Sequence, residues 1–304
     1  MKLLFLFLDG IGLGPDNPET NPFARANMPR LRALLGGRTL LAADAPYEGD
    51  RASLLSLDAG LGVDGFPQSA TGQAVLLTGL NIPKELGYHY GPKPNPEVAA
   101  YLNGHTLFSR VVQSGKTAVL LNAYPPRYFH GIDSGKRLYS SIPLAVTNAG
   151  LPLFTQEDYF AGRALSADFT GEGWREILGF PDAPVYSPEQ AGRKTAELAR
   201  KYDFSFFEYW ATDYAGHKQD MDWAIRQLEN FDGVLGGLLE AWDDRAGLIL
   251  LTSDHGNMED LSTRRHTDAS VPCLLIGEAS ARLQFSSQLT DLAGIAPAIQ
   301  KLIL

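Results

Sequence analysis

One cysteine stands in the 304 residues, at Cys273. A disulfide within the chain is therefore excluded, and so is a zinc site built from thiolates. Cys273 lies in the apolar run Val271 to Ile276 and reads as a small core residue. Basic residues are also in deficit: 26 Lys and Arg face 35 Asp and Glu, for a formal net charge of −9. That balance argues against nucleic acid or an anionic membrane surface as partner. A phosphate-bearing substrate stays open, because bound cations reverse a local field. No apolar run approaches the roughly 20 residues that cross a bilayer. The N-terminal run Leu3 to Leu8 meets Asp9 rather than a small-residue cleavage site, so it predicts a buried strand and a cytoplasmic protein. Repeats and low-complexity tracts are lacking. Gly10, Gly12 and Gly14 lack the spacing of a dinucleotide fingerprint.

What is present is an alternation of strand and helix patterns. Apolar runs predict strands at Leu3 to Leu8, Lys116 to Leu121, Asp203 to Trp210, Leu248 to Thr252 and Val271 to Ile276. Between them, helices are predicted at Met28 to Leu35 with Asn27 as N-cap, Ala74 to Thr78, Thr106 to Ser114, Ser187 to about Lys201, Asp220 to Trp242 and Gln288 to Leu302. Ser187-Pro-Glu-Gln190 forms a capping-box pattern. The segment from Ile82 to Asn103 reads as irregular. The expected fold class is α/β, a mostly parallel central sheet with helices on both faces, in a single domain spanning 1–304. A small substrate-facing insertion is expected around 125–184, so any cap is small or absent.

Three of these strands end in an aspartate: Asp9, Asp213 and Asp254. His217 and His255 follow the latter two, and His266 comes after a polar loop. One aspartate after a strand is an ordinary turn or cap residue. Three carboxylates and three imidazoles brought to one sheet edge would be costly without cations. Two divalent ions resolve that cost, and Asp and His ligands suit Zn²⁺ or Mn²⁺, with Mg²⁺ as a further candidate. Ser69 and Thr71 stand at the start of a helix, where a hydroxyl is either a cap or a nucleophile facing an incoming phosphate.

At this point the chain resembles the alkaline-phosphatase-like superfamily, nearest to its cofactor-independent phosphoglycerate mutase and phosphopentomutase branch. The resemblance rests on Leu8-Asp9-Gly10, Asp213-x-x-x-His217, Asp254-His255-Gly256-Asn257 and His266-Thr267 leading to Val271-Pro272. It implies one ion held by Asp213, His217 and His266, and another held by Asp9, Asp254, His255 and the nucleophile. The family's hydroxyl precedes one glycine by three positions and a second by ten, which selects Ser69 ahead of Gly72 and Gly79. Gln73 stands where mutases often carry His, and the sulfatase pattern Cys/Ser-x-Pro-x-Arg is lacking. The implied activity is two-metal phosphoryl transfer on a small phosphorylated substrate. Phosphatase or phosphodiesterase action through a phosphoserine is favoured over a phosphomutase acting on a sugar or glycerate. A non-catalytic metal-binding protein of the same fold is the third reading. Thr71, Arg127 and Arg137 are the expected substrate contacts, with His130 and Lys136 beside them; the oligomeric state is left open.

Overall fold

A computed structural model describes residues 1–304. Its centre is a seven-stranded sheet of β1 (Lys2–Leu8), β2 (Tyr47–Glu48), β3 (Ala52–Leu57), β4 (Ala118–Leu120), β5 (Phe204–Tyr209), β6 (Gly247–Thr252) and β7 (Val271–Ile276). The spatial order is β2-β3-β7-β6-β1-β5-β4. β1 pairs in parallel with β5 and β6, and β4 with β5. β7 runs antiparallel to both β6 and β3, and β2 antiparallel to β3. Five of the seven strands thus share one direction, and the sheet is mixed only at the β7 side.

β1 is apolar from Leu3 to Leu8 and β6 from Leu248 to Leu251 because both of their faces are covered. Leu3, Phe5 and Phe7 face one layer, together with Phe204, Phe206, Leu248 and Leu250. Leu4, Leu6 and Leu8 face the other, with Phe207, Tyr209, Ile249 and Leu251. Each layer forms a cluster of 39 buried residues, so neither side of the sheet is left to solvent. The first layer is completed by the helices Ser69–Thr78, Leu107–Gln113, Ser141–Asn148 and Ile295–Ile303. The second is completed by Pro29–Leu34, Pro188–Ala199 and Met221–Ala241.

Several expectations are corrected. β2 and β3 lie in a stretch without a strand expectation, and their pairing on β7 supplies the antiparallel flank. The first helix is not capped by Asn27. Its N-cap is Met28, and the Arg30 and Leu31 N–H groups donate to the Asp232 carboxylate on the long helix, at 3.0 and 2.8 Å. The segment expected to be irregular holds short helices at Ile82–Leu86 and Pro96–Tyr101. The closing helix starts at Ile295, because Gln288 adopts a left-handed φ of 71° and ends any helix there. The Ser187–Gln190 capping box is present.

Beyond β4 comes the segment expected as an insertion, although its helix Ser141–Asn148 packs in the main core. It carries helices at Pro126–Asp133, Ser141–Asn148, Gln156–Phe160 and Glu172–Glu176. Part of it has its own small core of Ala123, Tyr159, Ala164, Trp174 and Ala183. No helix is long and apolar enough to cross a membrane.

Candidate metal centre

The carboxyl ends of β1, β5 and β6 lie side by side, because β1 sits between the other two. Each strand breaks there into a loop or helix carrying acidic and imidazole groups. Asp9 follows β1. Asp213 and His217 occupy one face of the helix Ala211–Lys218, which begins directly after β5. Asp254 and His255 follow β6, and His266 closes the loop beyond.

All the expected ligands come together. The ligand atoms of Asp213, His217 and His266 lie within 4.8 Å of one another, as do those of Asp9, Asp213 and His255. The first group is the set the resemblance implies for one ion, and Asp213 also lies within reach of the second. Its two oxygens split the work: Oδ2 is 3.3 Å from His217 Nε2, and Oδ1 is 3.7 Å from His266 Nε2. The His255 and His266 rings stack at 3.7 Å, so each presents its edge to a different group of acids.

His255 Nε2 is the convergence point of the second group. Ser69 Oγ lies 3.1 Å from it, Asp9 Oδ1 3.4 Å and Asp254 Oδ2 3.6 Å. A serine-hydrolase relay would place the carboxylate on the opposite ring nitrogen. Here hydroxyl and carboxylates crowd one nitrogen, which is the arrangement of ligands around a shared cation. The tautomers agree. His217 Nδ1–H donates to the Arg264 carbonyl and His266 Nδ1–H to the Pro67 carbonyl, both at 2.8 Å. His255 Nδ1 faces the Gly256 carbonyl at 3.4 Å. In each ring Nε2 keeps its lone pair for the site.

The acids give a second test of fit. Both Asp254 oxygens and Asp9 Oδ1 are buried without a hydrogen-bond partner. Burial, and then the charge of Asp213, push the Asp254 carboxyl up to about 7. Burial and the charges of Asp254 and Asp213 hold Asp9 well above the usual carboxylate range. Burial also pushes Asp213 up, but its hydrogen bonds and the neighbouring imidazoles outweigh this and hold it below the usual range. Burial lowers His255 and His266 to about 4, which keeps both neutral and ligating. Unpaired buried carboxylates beside neutral imidazoles are the donor set that divalent cations satisfy. Asp9, Asp213, His217, Asp254, His255, His266 and Ser69 would hold them.

Ser69 is the first residue of the helix Ser69–Thr78, whose N-cap is Gln68 with no side-chain cap bond. Its hydroxyl is therefore not spent on capping and is turned toward His255. Gly72 explains the close approach: a Cβ there would stand 2.9 Å from the Asp254 Cβ and carbonyl. Gly10 does the same for the first loop. It has a left-handed φ of 67°, and a Cβ would stand 2.6 Å from Asp213 Oδ1.

The expected substrate residues fare differently. Thr71 is fully buried and does not face the site. Its hydroxyl donates to the Gln68 carbonyl at 3.2 Å and accepts from the Tyr90 N–H at 3.1 Å, so it pins the following loop to the helix. Arg127 is exposed on the helix Pro126–Asp133. Arg137 is also exposed, with its guanidinium 4.8 Å above the Tyr128 ring. His130 lines a cleft of about 450 Å³ with Asp133 and Glu157, which contains none of the metal ligands.

Three residues have a place at the site that the sequence reading gives no role. Asn257 donates from Nδ2 to Asp213 Oδ1 at 2.6 Å and orients that carboxylate. Glu259 is buried and accepts from three donors around the site. Glu208 is a further buried acid near the end of β5, on the face of Phe204 and Phe206; burial and the charge of Asp254 push it up to about 7. Its signal was the alternation Phe204, Phe206, Glu208, which places it on the side of Phe5 and Phe7.

Comparisons with known proteins agree with this geometry. A family model described as Metalloenzyme superfamily matches residues 175–304. A 2,3-bisphosphoglycerate-independent phosphoglycerate mutase of Thermococcus kodakarensis is 25% identical over 296 residues, covering 89% of this chain and 70% of that protein. The mutase of Desulforudis audaxviator is 33% identical over 141 residues, covering 42% of this chain; the chain spans only 27% of that relative's length. Among solved structures, alkaline phosphatase from the Antarctic bacterium TAB5 aligns with a TM-score of 0.54 and 14% identity, covering 99% of this chain and 98% of that one. Phosphoglycerate mutase of Leishmania mexicana aligns with a TM-score of 0.50 and 13% identity, covering 99% and 95%. Both structural likenesses concern the fold.

Residues 175–304 carry the Metalloenzyme superfamily match, and the chain as a whole has the fold of alkaline phosphatase. The relatives it resembles in sequence are 2,3-bisphosphoglycerate-independent phosphoglycerate mutases.

Proposed function

We propose that this protein is a two-metal phosphoryl-transfer enzyme whose nucleophile is Ser69, acting as a phosphatase or phosphodiesterase on a small phosphorylated substrate. The observation that carries this reading is the placing of Ser69 Oγ 3.1 Å from His255 Nε2, beside Asp9 and Asp254, at the N-terminus of a ten-residue helix. Two divalent ions, Mn²⁺ or Zn²⁺ by donor type, would supply Lewis acidity to the phosphoryl oxygens and to the hydroxyls at the site.

The chain's own groups do the rest. Ser69 Oγ lies 3.1 Å from His255 Nε2, and beside a cation held between them it would attack as the alkoxide, its proton passing to solvent. The oxygen forms the new P–O bond as the ester's alcohol oxygen leaves. The Ser69 and Ala70 N–H groups, which lack the partners that Thr71 and Gly72 have in the Tyr90 and Gln68 carbonyls, are suited to the phosphoryl oxygens. Asn257 holds Asp213 in place through the 2.6 Å hydrogen bond. Arg137 is the cation assigned to the substrate's non-reacting part, because a guanidinium pairs with oxyanions in a planar fork.

The experiment is turnover of p-nitrophenyl phosphate and of its bis ester with Mn²⁺ or Zn²⁺. Wild type should hydrolyse at least one of them, with a phosphate adduct on Ser69 seen by mass spectrometry after an acid quench. Ser69→Ala should lose both the adduct and about a thousandfold or more in rate. Absence of metal-dependent turnover would leave the non-catalytic reading standing.

A phosphomutase is the second reading, favoured by the match to the Thermococcus kodakarensis mutase along 89% of the chain. Labelled phosphate separates the two: it enters solution in hydrolysis and stays on the sugar or glycerate product in a mutase.

A further inference from the structure

Glu259 lies outside the set of ligands, yet it bonds directly to three of the segments that carry them and reaches Asp213 through Asn257. It is 1% exposed. Its Oε2 accepts the Gly12 N–H and the Asn257 N–H, each at 2.8 Å. Its Oε1 accepts the Thr267 hydroxyl. Gly12 belongs to the loop that starts with Asp9. Asn257 belongs to the loop of Asp254 and His255, and its side chain holds Asp213. Thr267 is the neighbour of His266. No lysine, arginine or histidine is paired with this carboxylate. A carboxylate with only neutral donors, all drawn from ligand-bearing segments, has no stabilising partner of its own beyond the loops it joins. The same segments are laced by the backbone: Met258 N–H donates to the Gly10 carbonyl at 2.9 Å, and Thr267 N–H to the Gly256 carbonyl at 3.0 Å.

We infer that Glu259 is a positioning residue that couples the two halves of the metal centre, so that ordering one ion's ligands orders the other's. The links are asymmetric by address. Gly12 reaches the Asp9 side, Thr267 the His266 side, and Asn257 reaches Asp213, which serves both. Neither half can shift without moving a hydrogen bond to the same carboxylate. This rests on the two-metal reading above and extends it from which groups bind to how they bind together.

The test measures ion binding directly, without substrate. Metal-free full-length protein is titrated with Mn²⁺ by calorimetry, and bound ions per chain are counted by elemental analysis. Wild type should take up two ions. Glu259→Gln should weaken both by about tenfold or more, the range that loss of an outer hydrogen-bonding partner produces. Thr267→Val, which removes only the Oε1 link, should weaken one ion several-fold and widen the gap between the two affinities. Glu259→Asp keeps the charge and should restore part of the loss. A folded Glu259→Gln that binds both ions as wild type does overturns the inference, and so does one that weakens a single ion. If Glu259→Gln does not fold, Thr267→Val decides, and unchanged affinities there overturn it equally. A wild type that binds two ions but transfers no phosphoryl group sinks the proposed function and leaves this result readable; a wild type that binds one ion or none overturns the inference with its premise.

Discussion

The ligand loops and the insertion between β4 and β5 are built on different plans. Around the metal centre, Asp213, His217, His266 and Ser69 each have a named polar partner, and glycines let the loops touch. Across the insertion, the cations expected to meet substrate stand exposed, and Arg137 is held by a single ring contact. The first plan fixes atoms to within tenths of an ångström, as catalysis by positioned groups requires. The second offers charge near a site without fixing where it points. On the proposed function, chemistry belongs to the tightly bonded loops, and Arg127 and Arg137 stand on a segment that shares none of their ligand groups.

The sharpest way to break this contrast is at Asp254. Asp254→Asn should reduce turnover about a thousandfold or more and lower the count of bound ions. The metal-free variant should nevertheless melt higher than metal-free wild type above pH 7, because a buried unpaired carboxylate has been removed. A metal-free variant less stable than wild type would mean that Asp254 serves packing first.

Next comes Gly10→Ala. The left-handed φ costs a β-carbon residue roughly 1–2 kcal/mol, and the new methyl would press on Asp213 Oδ1 at 2.6 Å. Metal affinity should fall about tenfold while the chain stays folded, as read by calorimetry and circular dichroism.

A smaller effect should appear as pH dependence of the metal-free protein. Asp254 and Glu208 sit at about 7 when folded, against about 4 when unfolded. Between those values the folded state holds more protons, so these groups contribute stability that is lost as pH rises toward 7. His255 and His266, lowered to about 4, act in the opposite sense up to about pH 6.5. Above that the carboxylate terms remain, joined by His217, which its bond to Asp213 raises, and the melting temperature in chelator should decline from pH 6.5 to 8. Saturating Mn²⁺ should remove the decline. A flat or rising profile in chelator would show that the acids are not strained without cations.

The smallest effects belong to the insertion. Arg137→Ala should raise KM several-fold and leave metal affinity and melting temperature unchanged. Arg127→Ala should stay within about twofold on all three. A change in metal affinity from either would show that the two regions are not independent.

The sequence made the metal centre legible because its ligands stand at strand ends, and buried strands announce themselves by unbroken apolar runs. β1, β5 and β6 were all readable for that reason, and β1's place between the other two brings their ends together. Asp213 was legible as a candidate for one group but not for its nearness to both, since that depends on where its two oxygens point. Glu259 and Asn257 carry no periodic signal; their role exists only when distant loops meet. β3 was missed because Ser53 and Ser56 interrupt its apolar pattern, and the antiparallel flank went with it. Thr71 was misassigned because a helix-start hydroxyl can face a ligand or the backbone, and only the position of Tyr90 decides. The insertion's own small core, built on Tyr159 and Trp174, draws its residues from short elements with no long period to read.

The edges of the sheet have a consequence for how copies of this chain meet one another. On one side the last strand, β2, is only two residues long. On the other, the line of β4 continues into bridges from Asn122 to Leu165 and from Ala123 to Phe154, so the insertion's own backbone occupies hydrogen-bonding positions beyond the strand. Open strand edges are where sheets of different molecules join and precipitate. Here one edge is too short to template a neighbour and the other is partly taken by the same chain. Shortening that segment across Phe154 and Leu165 should therefore favour aggregation through β4, read as light scattering on heating, before it alters the candidate metal centre.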